Sequence, residues 1–266
     1  MKLLLWNVNG LRAISKKEVD KKTLFENFIT GYDVVVLNET KIGESAMSSK
    51  KHLIPEVFQS YNSHSSIKKG YSGVSILTKK KPVRRIEPLF NDEEGRMVIL
   101  EFDTFILVGV YVPNSGTINK ETNKPKRHQF RTETWDIQFR DMCIRLEKQK
   151  PLIILGDLNV AYTDMDVYAP DRLHKAAGFT KEERENFGRL LSSTTLIDCW
   201  RRKHPYAIQY SFFDYRSKAR SRNAGWRIDY ALISKELYSS IQGCEILSNI
   251  VGSDHLPLEV IVNTKI

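Results

Sequence analysis

Leu3-Leu4-Leu5-Trp6-Asn7-Val8-Asn9 and Leu152-Ile153-Ile154-Leu155-Gly156-Asp157-Leu158-Asn159 carry the clearest sign of how this chain folds. Each runs apolar residues into a polar residue, one spacer and an asparagine. A short apolar run closed by polar residues reads as a buried strand. The match is too short to establish a repeat, but it fits two similar sheets facing each other.

Further runs rich in Val, Ile, Leu and aromatics recur at 34–37, 74–77, 98–102, 105–112, 228–233 and 258–262, the composition of strands. Between them the spacing predicts helices. One covers 132–147, with Trp135, Phe139, Met142, Cys143 and Leu146 on one face. Another starts at Thr180, whose spacing to Glu183 is a capping box ahead of Phe187, Leu190 and Leu191. A third is expected over 21–30 through Leu24, Phe25, Phe28 and Ile29. Strands outnumber helices and the two are mixed, so packed α/β (α+β) layers are expected, in a single domain over residues 1–266.

The chain has 266 residues, 41% hydrophobic and 27% charged, which is a globular composition. Lysine plus arginine is 41 against 32 acidic residues, a net charge of +9. That balance favours an anionic partner, either nucleic acid or a membrane surface. No apolar run approaches the roughly 20 residues of a membrane helix. Asn7 interrupts the opening hydrophobic residues too early for a signal peptide. An untargeted intracellular protein of the cytoplasm, nucleus or nucleoid is the expectation. Cys143, Cys199 and Cys244 are scattered and odd in number. They argue against a disulfide framework or zinc ribbon and read as buried, inert thiols.

The chemistry lies at the strand ends. Asn7 and Asn9, Glu39, Tyr111 and Asn114, Asp157 and Asn159, Asp229, and Asp254 with His255 each border an apolar run. One Asp after a strand is usually a turn former. So many polar groups beside core strands each risk a burial penalty and are harder to dismiss. Glu39 with Asn7 and Asn9 offers hard oxygen ligands, suited to magnesium or manganese rather than zinc. His255 offers an imidazole, and Asp254 or Asp229 a carboxylate to orient it. Asp157 suits positioning or deprotonating a water, and Tyr111, Asn114 and Asn159 suit phosphate oxygens. Metal, base, acid and neutral donors together describe phosphodiester hydrolysis by water.

The sequence resembles the exonuclease III-type abasic-site endonucleases of the DNase I-like endonuclease/exonuclease/phosphatase superfamily. The matching stretches are Trp6-Asn7-Val8-Asn9-Gly10-Leu11-Arg12-Ala13, Leu37-Asn38-Glu39-Thr40-Lys41, Lys69-Gly70-Tyr71-Ser72-Gly73-Val74, Tyr111-Val112-Pro113-Asn114-Ser115-Gly116, Gly156-Asp157-Leu158-Asn159-Val160-Ala161, Ala177-Gly178-Phe179-Thr180, Gly225-Trp226-Arg227-Ile228-Asp229-Tyr230 and Gly252-Ser253-Asp254-His255. They come in family order and span nearly the whole chain.

The resemblance implies a four-layer α/β sandwich, two facing mixed sheets flanked by helices, with the site at one rim. It implies a magnesium ion, with manganese as a substitute, held mainly by Glu39 with Asn7 and Asn9. Asp157, Asn159, Asp254 and His255 are expected around that metal. Asp157 would activate or position water, with Asn159 orienting it. Tyr111 and Asn114 would contact the scissile phosphate. His255, held by Asp229, would stabilise the transition state or move a proton. The implied reaction is cleavage 5′ to an abasic site in double-stranded DNA, leaving a 3′-hydroxyl, with 3′→5′ exonuclease or 3′-phosphodiesterase trimming, by a monomer without membrane attachment. A missing base lowers the cost of extruding its sugar by a few kcal/mol at most, and Phe212, Trp226 and Ile228 match the family's apolar pocket walls.

Two basic segments suit a DNA backbone. In 210–227, Arg216, Lys218, Arg220, Arg222 and Arg227 interleave with Phe212, Phe213, Tyr215 and Trp226. In 117–131 lie Lys120, Lys124, Lys126, Arg127, His128 and Arg131. Arg12, Lys17, Lys69 and Tyr71 fall in family stretches that meet the duplex. Departures from the family are a longer loop after Gly116, Asn38 for a commoner Gln, Phe213 for a common Trp, and Leu173 and Ala176 where Asn is frequent. The rival readings are a lipid or inositol phosphoesterase on the same scaffold and a non-catalytic DNA-binding module. The DNA-facing motifs oppose the first. The intact set Glu39, Asp157, Asn159, Asp229 and His255 opposes the second.

Overall fold

The computed structural model describes residues 1–20, 23–43 and 53–263. Two 6-stranded mixed sheets face each other, with helices on both outer faces. In the first sheet the order is Ile241–Ile246, Leu258–Val262, Lys2–Asn7, Val34–Asn38, Val74–Thr78, Gln59–Ser63. In the second it is Leu196–Asp198, Asp229–Ser234, Leu152–Asp157, Ile106–Tyr111, Met97–Glu101, Arg84–Ile86.

The two orders correspond strand for strand. Lys2–Asn7 pairs antiparallel with Leu258–Val262 and parallel with Val34–Asn38. Leu152–Asp157 pairs antiparallel with Asp229–Ser234 and parallel with Ile106–Tyr111. The similar endings of the two central strands therefore occupy equivalent places in equivalent sheets. Asn9 N–H donates to Asn7 Oδ1 at 3.1 Å, and Asn159 N–H donates to Asp157 Oδ1 at 2.9 Å.

Period-two alternation builds the four layers. Leu3, Leu5, Val34, Val36, Ile153, Leu155, Ala231 and Ile233 point into the core between the sheets. Leu4, Trp6, Val35 and Leu37 point outward onto Leu11, Ile14, Phe25 and Ile29. Ile154 and Leu232 point outward onto Phe139, Met142, Leu146 and Phe187. Continuing the inward parity to the ends of these strands reaches Asn7, Asn38, Tyr111, Asp157 and Asp229. One rim of the core is thus polar by register.

The helix over 132–147 is Asp136–Glu147, preceded by a turn of π-helix over Phe130–Trp135, and its expected apolar face is buried. The Thr180/Glu183 capping box is present at the start of Lys181–Ser193. The helix expected over 21–30 is shorter. Lys21 and Lys22 lie outside the described residues, Thr23–Leu24 pairs with Glu18–Asp20, and only Phe25–Ile29 is helical. All three cysteines are buried and free. Among the described residues no helix is long and apolar enough to cross a membrane.

Candidate active site

The polar rim opens into a cavity of about 460 Å³. Asn9, Glu39, Tyr111, Asn114, Asp157, Asn159, Asp254 and His255 line it, and Phe212, Trp226 and Ile228 form its apolar side. Asn7 and Asp229 lie buried immediately behind. The expected catalytic, metal and pocket residues thus converge on one place.

Two hydrogen-bonded chains organise them. Asn7 Nδ2 donates to Glu39 Oε1 at 3.1 Å and across the sheets to Asp157 Oδ2 at 2.9 Å. Asn38 Oδ1 accepts from Asp157 N–H at 2.8 Å. In the second chain, His255 Nδ1 lies 2.8 Å from Asp229 Oδ2, and His255 Nε2 lies 3.8 Å from Asp157 Oδ2. Trp6 Nε1 holds the His255 backbone by donating to its carbonyl oxygen at 3.0 Å, and Phe212 packs on the ring with centroids 4.8 Å apart. Asp229 is placed by Ser211, whose Oγ accepts from the backbone N–H groups of Ile228 and Asp229, each at 3.1 Å.

The electrostatics follow from this packing. Burial opposes a charged His255, but Asp229, Asp157 and Asp254 outweigh it and raise the imidazole to about 10. Burial and neighbouring Asp229 push Asp157 upward, against the pull of His255. Several carboxylates around one imidazole favour its charged form. Burial also opposes a charged Glu39, yet Lys41, Asn7 and His255 hold it below the usual carboxylate range. Burial, with Glu39 and Asp157 next, raises the Tyr111 phenol well above its ordinary value, so it is a neutral donor.

The donor set fits a hard divalent cation. Among the described residues, one oxygen each of Glu39 and Asp157 lie within 4.8 Å of one another and of a His255 ring nitrogen; a charged imidazole has no lone pair to give, so the oxygens are the ligands this set offers. Lys41 Nζ lies 2.9 Å from Glu39 Oε2 and also hydrogen-bonds Asn9 Oδ1. A positive charge already bridges two of the oxygens expected to bind metal. Asp254 accepts from Asn9 Nδ2 at 3.1 Å on both carboxylate oxygens, which turns Asn9 Oδ1 towards the site.

The backbone contributes as well. Asn9, Glu39 and Asn159 have φ of 48°, 51° and 47°. Asn tolerates this left-handed region; Glu pays roughly 1–2 kcal/mol for it. That conformation lets each strand end turn its polar group along the rim.

Several expectations are corrected. Arg227 is fully buried between Asp166 and Asp198, at 2.7 and 2.8 Å, so it is unable to meet DNA. His128 and Arg131 are also buried and drop out of the basic surface of 117–131. Arg12, Lys17, Lys69, Lys124, Lys126, Arg216, Arg220 and Arg222 are exposed, with Tyr71 and Arg127 half-buried, and none of them lines the cavity. Lys124 pairs with Glu182 at 3.1 Å, Arg127 with Glu94 at 2.9 Å, and Arg220 donates to Ser248 O at 2.6 Å. Sequence reasoning gave no role to Lys41, Asn38, Ser211 or Arg96. The buried Arg96 guanidinium donates to Tyr111 O at 3.1 Å and stacks 4.7 Å from the Tyr111 ring. Only Lys41 and Asn38 carried a signal, since both flank Glu39 in its motif.

Comparison with known proteins agrees with this geometry. The chain is 37% identical over 267 residues to an exodeoxyribonuclease of Bacillus subtilis (strain 168), covering 99% of this chain and 100% of that one. It is 38% identical over 264 residues to the DNA repair nuclease APEX1 of Danio rerio, covering 97% of this chain and 81% of that protein. The crystal structure of AP endonuclease LMAP from Leishmania major superposes with a TM-score of 0.85 at 29% identity, over 97% of this chain and 86% of that one. The pattern of the endonuclease/exonuclease/phosphatase family matches residues 4–255, and this chain belongs to that family.

Proposed function

We infer that this protein is a magnesium-dependent DNA repair nuclease that hydrolyses the phosphodiester 5′ to an abasic site and trims 3′ ends. One observation carries the reading. Glu39, Asp157 and His255, linked through buried Asn7 and Asp229, line a cavity whose apolar side is Phe212, Trp226 and Ile228. Hydrolytic groups and an apolar recess meet, as an extruded sugar without a base requires. The relatives named exodeoxyribonuclease and AP endonuclease support the same chemistry.

The roles follow from charge and reach. His255, held as a cation by Asp229, stabilises charge growing on the phosphate oxygens. That leaves Asp157 to receive the proton of the attacking water, with Asn159 beside it to orient that water. Neutral Tyr111 and exposed Asn114 donate to the phosphate. A divalent cation held by Glu39 and Asn9 with Asp157 would neutralise charge on the phosphate and the leaving 3′-oxygen. Phe212, Trp226 and Ile228 exclude a base-bearing nucleotide. Arg12, Lys17, Lys69, Tyr71, Lys124, Lys126, Arg127, Arg216, Arg220 and Arg222, all at least partly exposed, are the groups assigned to grip the flanking duplex, with the protein acting as a monomer.

A labelled duplex with one central abasic site tests this reading, run with magnesium, with EDTA, and beside an intact duplex and a 3′-recessed end. A magnesium-dependent single nick 5′ of the site is expected, with slower erosion of the recessed end. Folded protein that binds the duplex without nicking it would refute the reading.

A further inference from the structure

Arg131 sits in the middle of a basic run, yet it is 3% exposed. Its guanidinium reaches both loops that carry the phosphate-facing asparagines. Nη1 donates to Pro113 O at 2.7 Å, next to Asn114. Nη2 donates to Leu158 O at 2.8 Å, and Nη1 approaches Asn159 O at 3.4 Å. Nε donates to Asp136 Oδ1 at 2.6 Å, and Asn186 Nδ2 bonds the other oxygen of that carboxylate at 3.3 Å. The planar fork is thereby held from behind while its front bridges two loops. On the cavity side the same loops are joined by Asn114 Nδ2 donating to Asn159 Oδ1 at 2.9 Å.

The delivery of this side chain is local and unusual. Phe130–Trp135 is a π-helical turn, running directly into the regular helix Asp136–Glu147. A π-turn holds one residue more than the α-helical path, which rotates the segment before it by roughly 100° relative to the helix after it. Arg131, at the start of this turn, reaches the loops, while Trp135, at its end, packs in the core with Phe139 and Met142. The residues within the turn at Glu133 and Thr134 are exposed, so packing does not require them.

We propose that Arg131, aimed by this π-turn, is a positioning residue that sets the Asn114–Asn159 pair against the reacting phosphate. It touches no substrate and acts through the loops at 112–116 and 158–160. The inference rests on the nuclease reading only for its kinetic arm.

The test uses the full-length protein as Arg131→Met, Arg131→Lys and a deletion of Thr134, which restores an α-helical path and turns Arg131 away without altering any residue that lines the cavity. Displacing a reacting group by about 1 Å costs on the order of 10²-fold, so Arg131→Met should lose that order in kcat with KM within about threefold. Arg131→Lys, a point charge able to satisfy only part of the fork, should fall between. The loss should shrink below about threefold when Arg131→Met is introduced into Asn114→Ala, because two residues acting through one element are non-additive. Backbone hydrogen exchange should quicken at 112–116 and 158–160 and stay unchanged in the core strands. Multiplicative kinetic losses, or unchanged exchange in those loops with kcat intact, would overturn the proposal. If Arg131→Met fails to fold, the other two variants decide it by the same criteria. The exchange arm needs no activity, so an inactive wild-type protein would refute the nuclease reading while the loops still answer for the clamp.

Discussion

His255 lies between Asp229 and Asp157, and most of the site's behaviour follows from that placement. In the proposed mechanism His255→Ala removes the cation that faces Asp157, and Asp157→Asn removes the acceptor for the water's proton. Loss of a single group acting on the transition state costs roughly 10²–10³ in rate, and each variant should lose at least that in kcat while still binding DNA. Wild-type turnover in either would remove that residue from the mechanism. Glu39→Gln should raise the magnesium concentration for half-maximal activity far more than it weakens DNA binding, which a metal titration at fixed duplex would show. These residues were legible because polar groups at core strand ends are expensive to bury. Arg131 and Arg227 were not. A sequence shows a cation but not whether tertiary packing turns it inward, and both are buried against carboxylates.

At the scale of elements, the strands of the two large sheets that sequence reasoning missed are Gln59–Ser63, Arg84–Ile86, Leu196–Asp198 and Ile241–Ile246. All four are sheet edges. An edge strand carries fewer apolar residues, as the burial of Gln59–Ser63 and Arg84–Ile86 shows, so its pattern is faint. The central strands and the Thr180 cap were plain because burial and capping leave strict residue requirements. Gly156 imposes another. A Cβ there would stand 2.2 Å from Val110 O in the neighbouring strand, so Gly156→Ala should destabilise the fold by several kcal/mol or prevent folding, checked by denaturant unfolding. The Asp166 pair ties the loop before the pocket to Arg227, next to Trp226 and Ile228. Burial opposes ionised Asp166, but Arg227 and Arg201 outweigh it and hold it below the usual range. A depressed carboxyl contributes stability that is present above its unfolded pKa of about 3.9 and is lost as pH falls through the lower folded value. Asp166→Asn should therefore cost about 3–5 kcal/mol at neutral pH, and the difference from wild type should narrow in acid. An unchanged melting temperature at pH 7 would contradict this.

Over the whole molecule, the paired sheets explain why the opening and central strands end alike. Each supplies one half of a site that exists only where the two sheets face. The net charge of +9 favours association with a polyanion. Duplex affinity should fall with salt by roughly 0.9 decades per phosphate contact for each decade of salt, and a flat response would argue against a DNA partner. The hairpin of Ile118–Asn119 with Lys124–Pro125 stands beside the Asn114 loop. Deleting residues 119–126 should raise KM more than it lowers kcat; the reverse split would remove the hairpin from DNA grip. The most direct measurement compares wild type with His255→Ala, purified identically, on the labelled abasic duplex in magnesium. The account predicts one nick 5′ of the abasic site from the wild type and almost none from the variant. Equal nicking by both, or none by a folded wild type, would contradict it.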